Sequence, residues 1–350
     1  MNKSFKIGNR IVGEDAPAFI VAEVSANHNQ DYNRAVEIIH AAAEAGADAV
    51  TLQTYTADTI TIDCDDDCFQ IKEGTIWDGT TLYKLYSEAY TPWEWQPRLI
   101  EEAKKLGLEC FSSPFDLTSV DFLSKLDVPA YKIASYEIND IPMIRKIAAL
   151  HKPMIFATGI AYPEDIALAL DTCKAEGNED IILLKCVSSY PTPYEDVNLR
   201  VIPTLAKTYD CIAGISDHTM GSIVSAGAVA LGAKMVEKHL TLRRADGGPD
   251  GAFSMEPEEF ATMVRDIRTL EKALGTDEYV LTDTQKLEHN GSRSLFVVKD
   301  IKAGEVLTPD NIRSIRPGIG MHTKHYEEVL GRHAKSDLKK GTPLQWELID

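Results

Sequence analysis

Short apolar runs alternate with longer amphipathic stretches along the first three quarters of the chain. Runs of four to seven apolar residues between helical patterns are typical of the buried strands of an α/β fold. We predict eight such strands: Ala18–Val24, Ala49–Gln53, Glu109–Ser112, Ala130–Ala134, Met154–Ala157, Ile181–Cys186, Cys211–Ile215 and Ala233–His239.

Helical patterns separate the predicted strands. They cover Tyr32–Ala45, Trp93–Leu106, Leu117–Leu126, Ile141–Leu150, Pro163–Glu176, Leu199–Thr208 and Ser222–Leu231, and Phe260–Leu274 follows the eighth strand. Eight strand–helix units in about 270 residues match the count and length of a (β/α)8, or TIM, barrel. A doubly wound sheet is the alternative, but no glycine-rich dinucleotide loop follows the first strand.

Three segments depart from this rhythm. Phe5–Asp15 alternates around a Gly-Asn pair and predicts a capping hairpin. Tyr55–Tyr90 is a long insertion after the second strand, rich in Thr, Asp and aromatic residues, and such an insertion commonly shapes access to a barrel site. Residues 282–290 are a polar linker in our interpretation, so residues 1–281 form the barrel domain and residues 291–350 a small separate domain.

The net charge of −18 argues against nucleic acid and anionic membranes as partners. A site for an anionic substrate must therefore be locally cationic. Six scattered cysteines without a CxxC pair indicate free thiols in a reducing compartment. The N-terminus lacks an apolar signal core and no apolar run has the length of a membrane span, so we expect a cytoplasmic protein.

Two histidines stand at the ends of the last two predicted strands. His218 follows one strand in a Ser-Asp-His run, and His239 ends the next strand, with Glu237 on the same face by the period of two. In a parallel barrel these ends meet at the catalytic mouth. A pair of imidazoles with open coordination positions suits a divalent transition metal that acts as a Lewis acid on a carbonyl group.

Other polar residues collect where strands give way to loops. They include Glu23, Gln53, Lys132, Ser135, Glu137, Thr158, Gly159, Lys185, Ser188 and Tyr190. Lysine, serine and backbone amide groups at one mouth predict a site for a small phosphorylated anion, with carboxylates beside it for proton transfer.

Several long motifs resemble the sialic acid synthase family. They are AEVSANHN (22–29), SSPFD (112–116), YKIASYEI (131–138), SSYPTPYED (188–196), GISDHT (214–219), VEKHLT (236–241) and GGPDGAFS (247–254). That family condenses phosphoenolpyruvate with an N-acetylated sugar to make nonulosonic acids. Its barrel precedes an antifreeze-like (SAF) domain, which the tail from Gly291 resembles. Trp77, residues 81–95 and KIASYE are most similar to the members that make pseudaminic acid.

The resemblance implies a role for each matching position. The metal ligands are His218 and His239, for manganese in the first place, with magnesium or cobalt as alternatives. The acids that handle the sugar and water are Glu23, Glu237 and Asp250. The substrate-binding residues are Lys132, Ser135, Glu137, Ser188, Tyr190 and Ser216, together with Arg316 of the small domain. In that family this arginine reaches the partner's barrel, which implies a domain-swapped homodimer.

Two positions depart from the family pattern. Thr51 stands where members usually have Lys, and Ala157 where they usually have Ser. The loss of one cation and one hydroxyl weakens the binding of an anion unless neighbouring residues compensate. Three alternatives stay open: an N-acetylneuraminate or legionaminate synthase, a synthase acting on phosphorylated sugars, and a weakened barrel that serves as a binding protein.

Overall fold

The computed structural model describes residues 1–72 and 74–350. The chain divides into two compact units, Met1–Gly275 and Thr276–Asp350. The first unit begins with the antiparallel hairpin of β1 (Ser4–Ile7) and β2 (Arg10–Gly13). This hairpin lies within the segment in which the sequence predicts one.

Eight parallel strands close into a barrel in the order β10-β3-β4-β5-β6-β7-β8-β9. They are β3 (Phe19–Glu23), β4 (Ala49–Thr54), β5 (Glu109–Pro114), β6 (Tyr131–Ile133), β7 (Met154–Ala157), β8 (Ile181–Lys185), β9 (Ile212–Ser216) and β10 (Met235–His239). The barrel prediction is therefore confirmed, with each strand within two residues of its predicted ends. The closing pair aligns His239 with Glu23, so polar ends of the first and last barrel strands are neighbours.

Helices follow the strands around the outside of the barrel. In chain order they are α1 (Tyr32–Glu44), α2 (Ala57–Ile60) and α3 (Leu82–Ala89) in the long insertion, α4 (Gln96–Lys105), α5 (Leu117–Lys125), α6 (Ile141–Ala148), α7 (Pro163–Ala175), α8 (Val201–Tyr209), α9 (Ile223–Ala230) and α10 (Pro257–Leu274). Side chains fix several starts. Asp31 accepts from the backbone of Asn33, and Asp116 accepts from that of Ser119, which satisfies amides that a helix N-terminus leaves unpaired. No helix in the described part of the chain is long and apolar enough to cross a membrane.

The interior of the barrel is apolar at its base and polar at its mouth. Phe111, Ile155 and Leu184 are buried inside, and Ile7 and Val12 of the hairpin pack against this interior cluster. Because successive strand residues point to opposite faces, these side chains alternate with others that pack against the helices. This apolar cluster excludes water from the base of the barrel, so the polar residues of the mouth lie directly above an apolar layer.

The second unit has its own small core. Its elements are α11 (Asp283–His289), β11 (Ser294–Val297), β12 (Ile312–Ile315), β13 (Met321–His322) and α12 (Tyr326–Val329), with the strands in the order β12-β11-β13. Leu295, Ile312 and Leu344 are fully buried in this core. The predicted linker, residues 282–290, contains the exposed helix α11, and the Thr282 side chain accepts from the Gln285 backbone at its start. The predicted boundaries at 281 and 291 stay a prediction.

Candidate active site at the mouth of the barrel

A cavity of about 540 Å³ opens at the carboxyl ends of the barrel strands. Most of the predicted site residues line it: Lys132, Ser135, Glu137, Tyr190, Ser216, His218, His239 and Asp250. Residues that lie far apart in the sequence meet here because parallel strands deliver all their carboxyl ends to one side. Ala157 lines the same cavity.

Lys132 lies between two buried carboxyl groups at the floor of the cavity. Its Nζ is 2.9 Å from Glu237 Oε1 and 3.4 Å from Glu23 Oε2. Burial opposes the charge of Lys132, but the neighbouring carboxyl groups, that of Glu237 first, outweigh burial and raise its pKa. Desolvation raises the pKa of Glu23 to about 8, although Lys132 opposes the shift. One ammonium group therefore contacts two carboxyl groups, and Glu23 holds a proton near neutral pH.

Glu237 is oriented by a second donor. Ser216 Oγ donates to Glu237 Oε1 over 2.8 Å, while Glu237 Oε2 is buried with no hydrogen-bond partner among the described residues. An unpaired buried oxygen is costly unless substrate or water completes it. Glu237 therefore presents one free acceptor inside the barrel.

His218 and His239 form a pair at the ends of the neighbouring strands β9 and β10. Their ring centroids are 5.2 Å apart. Desolvation lowers the pKa of His218 to about 4 and also lowers the pKa of His239, so both rings are neutral near pH 7. Nδ1 of His218 lies 3.1 Å from the carbonyl oxygen of Val187, which orients Nε2 for another partner.

The pair fits a divalent metal in its donor chemistry. Neutral imidazole is the form that binds metal, and Nδ1 of His239 is buried without a partner in the described part of the chain. Within residues 1–72 and 74–350 no cluster of three or more His, Cys, Asp or Glu side chains is arranged to hold a metal. A metal bound by the two histidines alone would keep coordination positions open, as catalytic rather than structural metal sites do.

A buried ion pair lies behind the two histidines. Lys238 Nζ is 2.8 Å from Asp217 Oδ2 and donates to the carbonyl oxygen of Thr219 over 2.7 Å. Asp217 also accepts from Ser225 Oγ over 2.7 Å. Asp217 precedes His218 and Lys238 precedes His239, so the pair joins the two histidine-bearing segments. No motif in the sequence indicates this network.

Aromatic rings pack around the histidines. The Phe253 ring centroid lies 5.0 Å from that of His239, and the Tyr190 centroid lies 4.5 Å from that of His218. Phe253 lies in the GGPDGAFS motif but was not among the predicted site residues. The rings exclude water from two sides and so favour the neutral form of both histidines.

Gly159 leaves space between two serine hydroxyls. A Cβ atom at this position would lie 2.4 Å from Ser188 Oγ and 2.7 Å from Ser135 Oγ, so a larger residue could not occupy it without a shift. Ser188 Oγ is buried and unpaired among the described residues. Two hydroxyls around a glycine form a small polar cradle that suits an oxyanion.

Asp250 and Glu137 are carboxyl groups on other sides of the cavity. Asp250 accepts from Ser25 Oγ and from the backbone amide of Ala26, and desolvation raises its pKa. Desolvation also raises the pKa of Glu137 to about 7, and its Oε2 has no partner in the described structure. Ser25, within the AEVSANHN motif, is another site residue that was not predicted.

Four predicted site residues and Thr51 lie outside the cavity lining. Glu23 and Glu237 are buried at its floor against Lys132, and Ser188 contributes the unpaired hydroxyl of the cradle. Thr51 is fully buried on β4, where its register partner is Glu23. Arg316 belongs to the second unit, where it is exposed just after β12. Its predicted role in the site stays a prediction.

Two protein-family models match the chain. The sequence model of the NeuB family matches residues 38–279, and that of the SAF domain matches residues 292–350. The chain is 46% identical to the pseudaminic acid synthase of Helicobacter pylori over 335 residues, which cover 95% of this chain and 98% of that protein. It is 35% identical to the N,N'-diacetyllegionaminic acid synthase of Legionella pneumophila, over 97% of this chain and 96% of that protein.

A solved structure has the same fold. The N-acetylneuraminic acid (sialic acid) synthetase from Leptospira borgpetersenii serovar Hardjo-bovis, in complex with citrate, superimposes with a TM-score of 0.72 at 31% identity. The match covers 81% of this chain and 94% of that one. The family resemblance and the small C-terminal domain inferred from the motifs are confirmed by these matches.

Proposed function

The chain belongs to the NeuB family, and from this membership we propose that it is a phosphoenolpyruvate-dependent nonulosonic acid synthase of the pseudaminic acid type. One observation carries the proposal: a buried lysine, flanked by two carboxyl groups, lies at the floor of the cavity that two neutral histidines line. Relatives that make pseudaminic acid are 43% to 46% identical to this chain over nearly its whole length.

The reaction joins phosphoenolpyruvate, 2,4-diacetamido-2,4,6-trideoxy-L-altrose and water. The enol carbon forms a bond to the aldehyde carbon of the open-chain sugar, and the aldehyde oxygen takes a proton. Water adds to the cationic carbon that bears the phosphate ester, and the bond from that carbon to the ester oxygen breaks. The products are pseudaminic acid and inorganic phosphate.

Lys132 and the serine cradle bind the phosphorylated substrate. The ammonium group of Lys132 supplies the cation that an anion requires within a chain of net charge −18. Ser135 and Ser188, on either side of Gly159, supply hydroxyl donors, and Ser216 adds another beside Glu237. Placing these groups on strand ends fixes the enol carbon relative to the sugar.

The carboxyl groups handle protons and the sugar. Glu23, which keeps its proton near neutral pH, acts as a donor, and the free oxygen of Glu237 accepts a hydrogen bond from the attacking water. Asp250, held by Ser25, and Glu137, on another side of the cavity, bind sugar hydroxyl and amide groups. Tyr190 packs against His218 and closes one side of the pocket.

His218 and His239 are the ligands that would hold a divalent metal, with manganese as the first candidate and magnesium or cobalt as alternatives. When bound, this ion supplies Lewis acidity at the sugar carbonyl. We also propose that the protein is a domain-swapped homodimer. In this dimer Arg316 of one chain binds the acyl group of the sugar in the barrel of the other chain. We also propose that the protein is cytoplasmic.

Phosphate release tests the proposal. Phosphoenolpyruvate is incubated with the purified protein and a panel of acetamido sugars that includes the pseudaminic, legionaminic and neuraminic acid precursors, with and without chelator. We expect phosphate only when an acceptor sugar is present, fastest with the trideoxy altrose, and its loss in chelator with recovery on added manganese. No phosphate with any sugar would contradict the synthase function.

A further inference from the structure

Ser25 lines the cavity in a backbone conformation that serine seldom adopts. Its φ angle is 48°, in the left-handed region, and the residue is only 2% exposed. Apart from glycine, this region is populated mostly by asparagine, aspartate and histidine, and strained residues of this kind often lie at functional sites. Of the non-glycine residues with positive φ in the described ranges, 1–72 and 74–350, Ser25 alone lines the cavity. Its contacts therefore bear on what the cavity does.

The turn at Ser25 directs two successive backbone amides toward two carboxyl groups. Val24 has right-handed helical angles, with φ −73° and ψ −41°, and a right-handed residue followed by a left-handed one forms a nest of N–H groups that binds anions. The Ser25 amide donates to Glu23 Oε1 over 3.0 Å, and the Ala26 amide donates to Asp250 Oδ2 over 3.2 Å. The strained turn thus holds two of the proposed acids at once.

The hydroxyl of Ser25 adds a second link to Asp250. It donates to Asp250 Oδ2, the same oxygen that the Ala26 amide reaches, and it accepts from Gln53 Nε2 over 3.3 Å. Ser25 follows β3, Gln53 lies on β4, and Asp250 lies in the loop after β10. One hydroxyl therefore joins three segments around the cavity, and Ser25 and Asp250 are 225 residues apart in the sequence.

The bonds from Ser25 and Ala26 orient the Asp250 carboxylate itself. Ser254 Oγ, in contrast, donates to the carbonyl oxygen of Asp250 over 2.6 Å and so fixes the loop backbone. The last torsion of an aspartate side chain is soft, so the direction of its two oxygens depends on the donors around it. Desolvation raises the pKa of Asp250, and the bonds from Ser25 and Ala26 oppose this shift, which favours the carboxylate.

We propose that Ser25 is a positioning residue for the synthase reaction, and that it holds the Asp250 and Glu23 carboxyl groups in a fixed mutual arrangement. A sugar bound by Asp250 then presents its reacting end to Glu23. This inference rests on the proposed synthase function and adds a residue to its mechanism. Misplacement of a reacting group by 1 Å can lower a rate by about 10²-fold, so a small rotation of Asp250 is enough to slow turnover.

Two substitutions separate the hydroxyl of Ser25 from its backbone conformation. Ser25→Ala removes the hydroxyl and leaves the strain, whereas Ser25→Gly removes both, because glycine adopts positive φ without a steric penalty. We expect each variant to lose about 10- to 100-fold in kcat/KM for the sugar, while the KM for phosphoenolpyruvate changes by less than about threefold. Ser25→Gly should unfold at a temperature no lower than Ser25→Ala, so a folded variant without the hydroxyl is available.

A double-variant cycle tests whether Ser25 acts through Asp250. The sugar kcat/KM is measured for Ser25→Ala, for Asp250→Asn and for the two changes combined, and calorimetry gives the sugar dissociation constant for any variant whose turnover is too slow to measure. If Ser25 positions the Asp250 carboxylate, Ser25→Ala should have an effect of less than about threefold once Asp250→Asn is present.

Ser222→Ala is the matched control. The Ser222 hydroxyl donates to Asp266 Oδ2 over 3.4 Å, so it is also a serine bonded to a carboxylate, but neither residue lines the cavity. This variant should keep the sugar kcat/KM of the unaltered protein.

The outcomes separate the inference from the function on which it rests. Folded Ser25→Ala and Ser25→Gly proteins with the sugar kcat/KM of the unaltered protein would overturn the inference and leave the synthase function standing. An equal loss from Ser25→Ala with and without Asp250→Asn would show that Ser25 acts independently of that carboxylate, and would also overturn it. Absence of phosphate release by the unaltered protein with every acceptor sugar would reject the synthase function, and the inference with it.

Discussion

Lys238 Nζ lies 2.8 Å from Asp217 Oδ2, and both side chains are about 1% exposed. The two residues immediately precede the histidines of the site, and they face away from the cavity toward helix α9, where Ser225 donates to the same carboxylate. This buried charge pair therefore links the two segments that carry the histidines.

The first prediction concerns this ion pair. Lys238→Met leaves the Asp217 carboxylate buried without its cation, and breaking a buried pair in this way costs about 3–5 kcal/mol. We expect urea unfolding to show a loss of this size. Lys152→Met, at the partly exposed Lys152–Asp127 pair, is the control and should give no resolvable change. The double variant Lys238→Met/Asp217→Asn should recover part of the loss. Equal stability of Lys238→Met and the unaltered protein would contradict this account.

The second prediction concerns the pH dependence of sugar binding. Desolvation raises the pKa of Glu137 to about 7, so its carboxylate form appears as the pH rises through that value. A carboxylate accepts hydrogen bonds from sugar hydroxyl and amide groups, and the protonated acid accepts them more weakly. We therefore expect kcat/KM for the sugar to rise between about pH 6 and pH 8. Glu137→Gln should remove this rise, and a fall over the same interval would contradict the assigned role.

The third prediction concerns Thr51, which is fully buried beside Glu23. Thr51→Lys adds a second cation to a floor where Lys132 alone faces two carboxyl groups. We expect tighter phosphoenolpyruvate binding by about 10- to 100-fold, the range of one charge-assisted hydrogen bond of about 1.5–3 kcal/mol. Thr51→Met, of similar length without charge, is the control. An unchanged or weaker dissociation constant in a folded Thr51→Lys protein would mean that the anion binds away from this position.

The fourth prediction concerns the second unit. If Arg316 acts in the partner's barrel, then Arg316→Ala and His218→Ala chains are each inactive alone. In a mixed dimer one site combines the intact barrel with the intact Arg316, so activity should return on subunit exchange. With random exchange half of the dimers are mixed, and one of the two sites in each mixed dimer is complete. We therefore expect about a quarter of the activity of the unaltered protein. A mixture with exchange confirmed that stays as inactive as its parents would show that Arg316 acts within its own chain or not at all.

The fold was largely predictable because its signal is local. The strand at Met154–Ala157 has the predicted ends, and the two histidines were placed at neighbouring strand ends from spacing alone. The same reasoning placed Lys132 and Ser135 together at the mouth of the barrel. Helix α11 was missed because all its residues except the exposed Leu287 are polar, and an exposed helix without an apolar face has no periodic signal.

The electrostatic details of the site were not predictable from the sequence. Lys132 contacts Glu23 across 109 residues of sequence, and nothing local to either position indicates this pairing. Lys238 lies between the inward-facing Glu237 and His239, so the period of two places it on the outer face but does not name Asp217 as its partner. Such pairs follow from barrel closure and register, which are tertiary properties.

In the proposed reaction this barrel makes a carbon–carbon bond between phosphoenolpyruvate and an acetamido sugar and releases phosphate by carbon–oxygen cleavage. Its most direct test uses phosphoenolpyruvate with ¹⁸O at the oxygen that bridges carbon and phosphorus, together with 2,4-diacetamido-2,4,6-trideoxy-L-altrose. We expect mass spectrometry to find the ¹⁸O in inorganic phosphate and an unlabelled pseudaminic acid product. Label retained in the organic product, or phosphate formed at the same rate without the sugar, would contradict it.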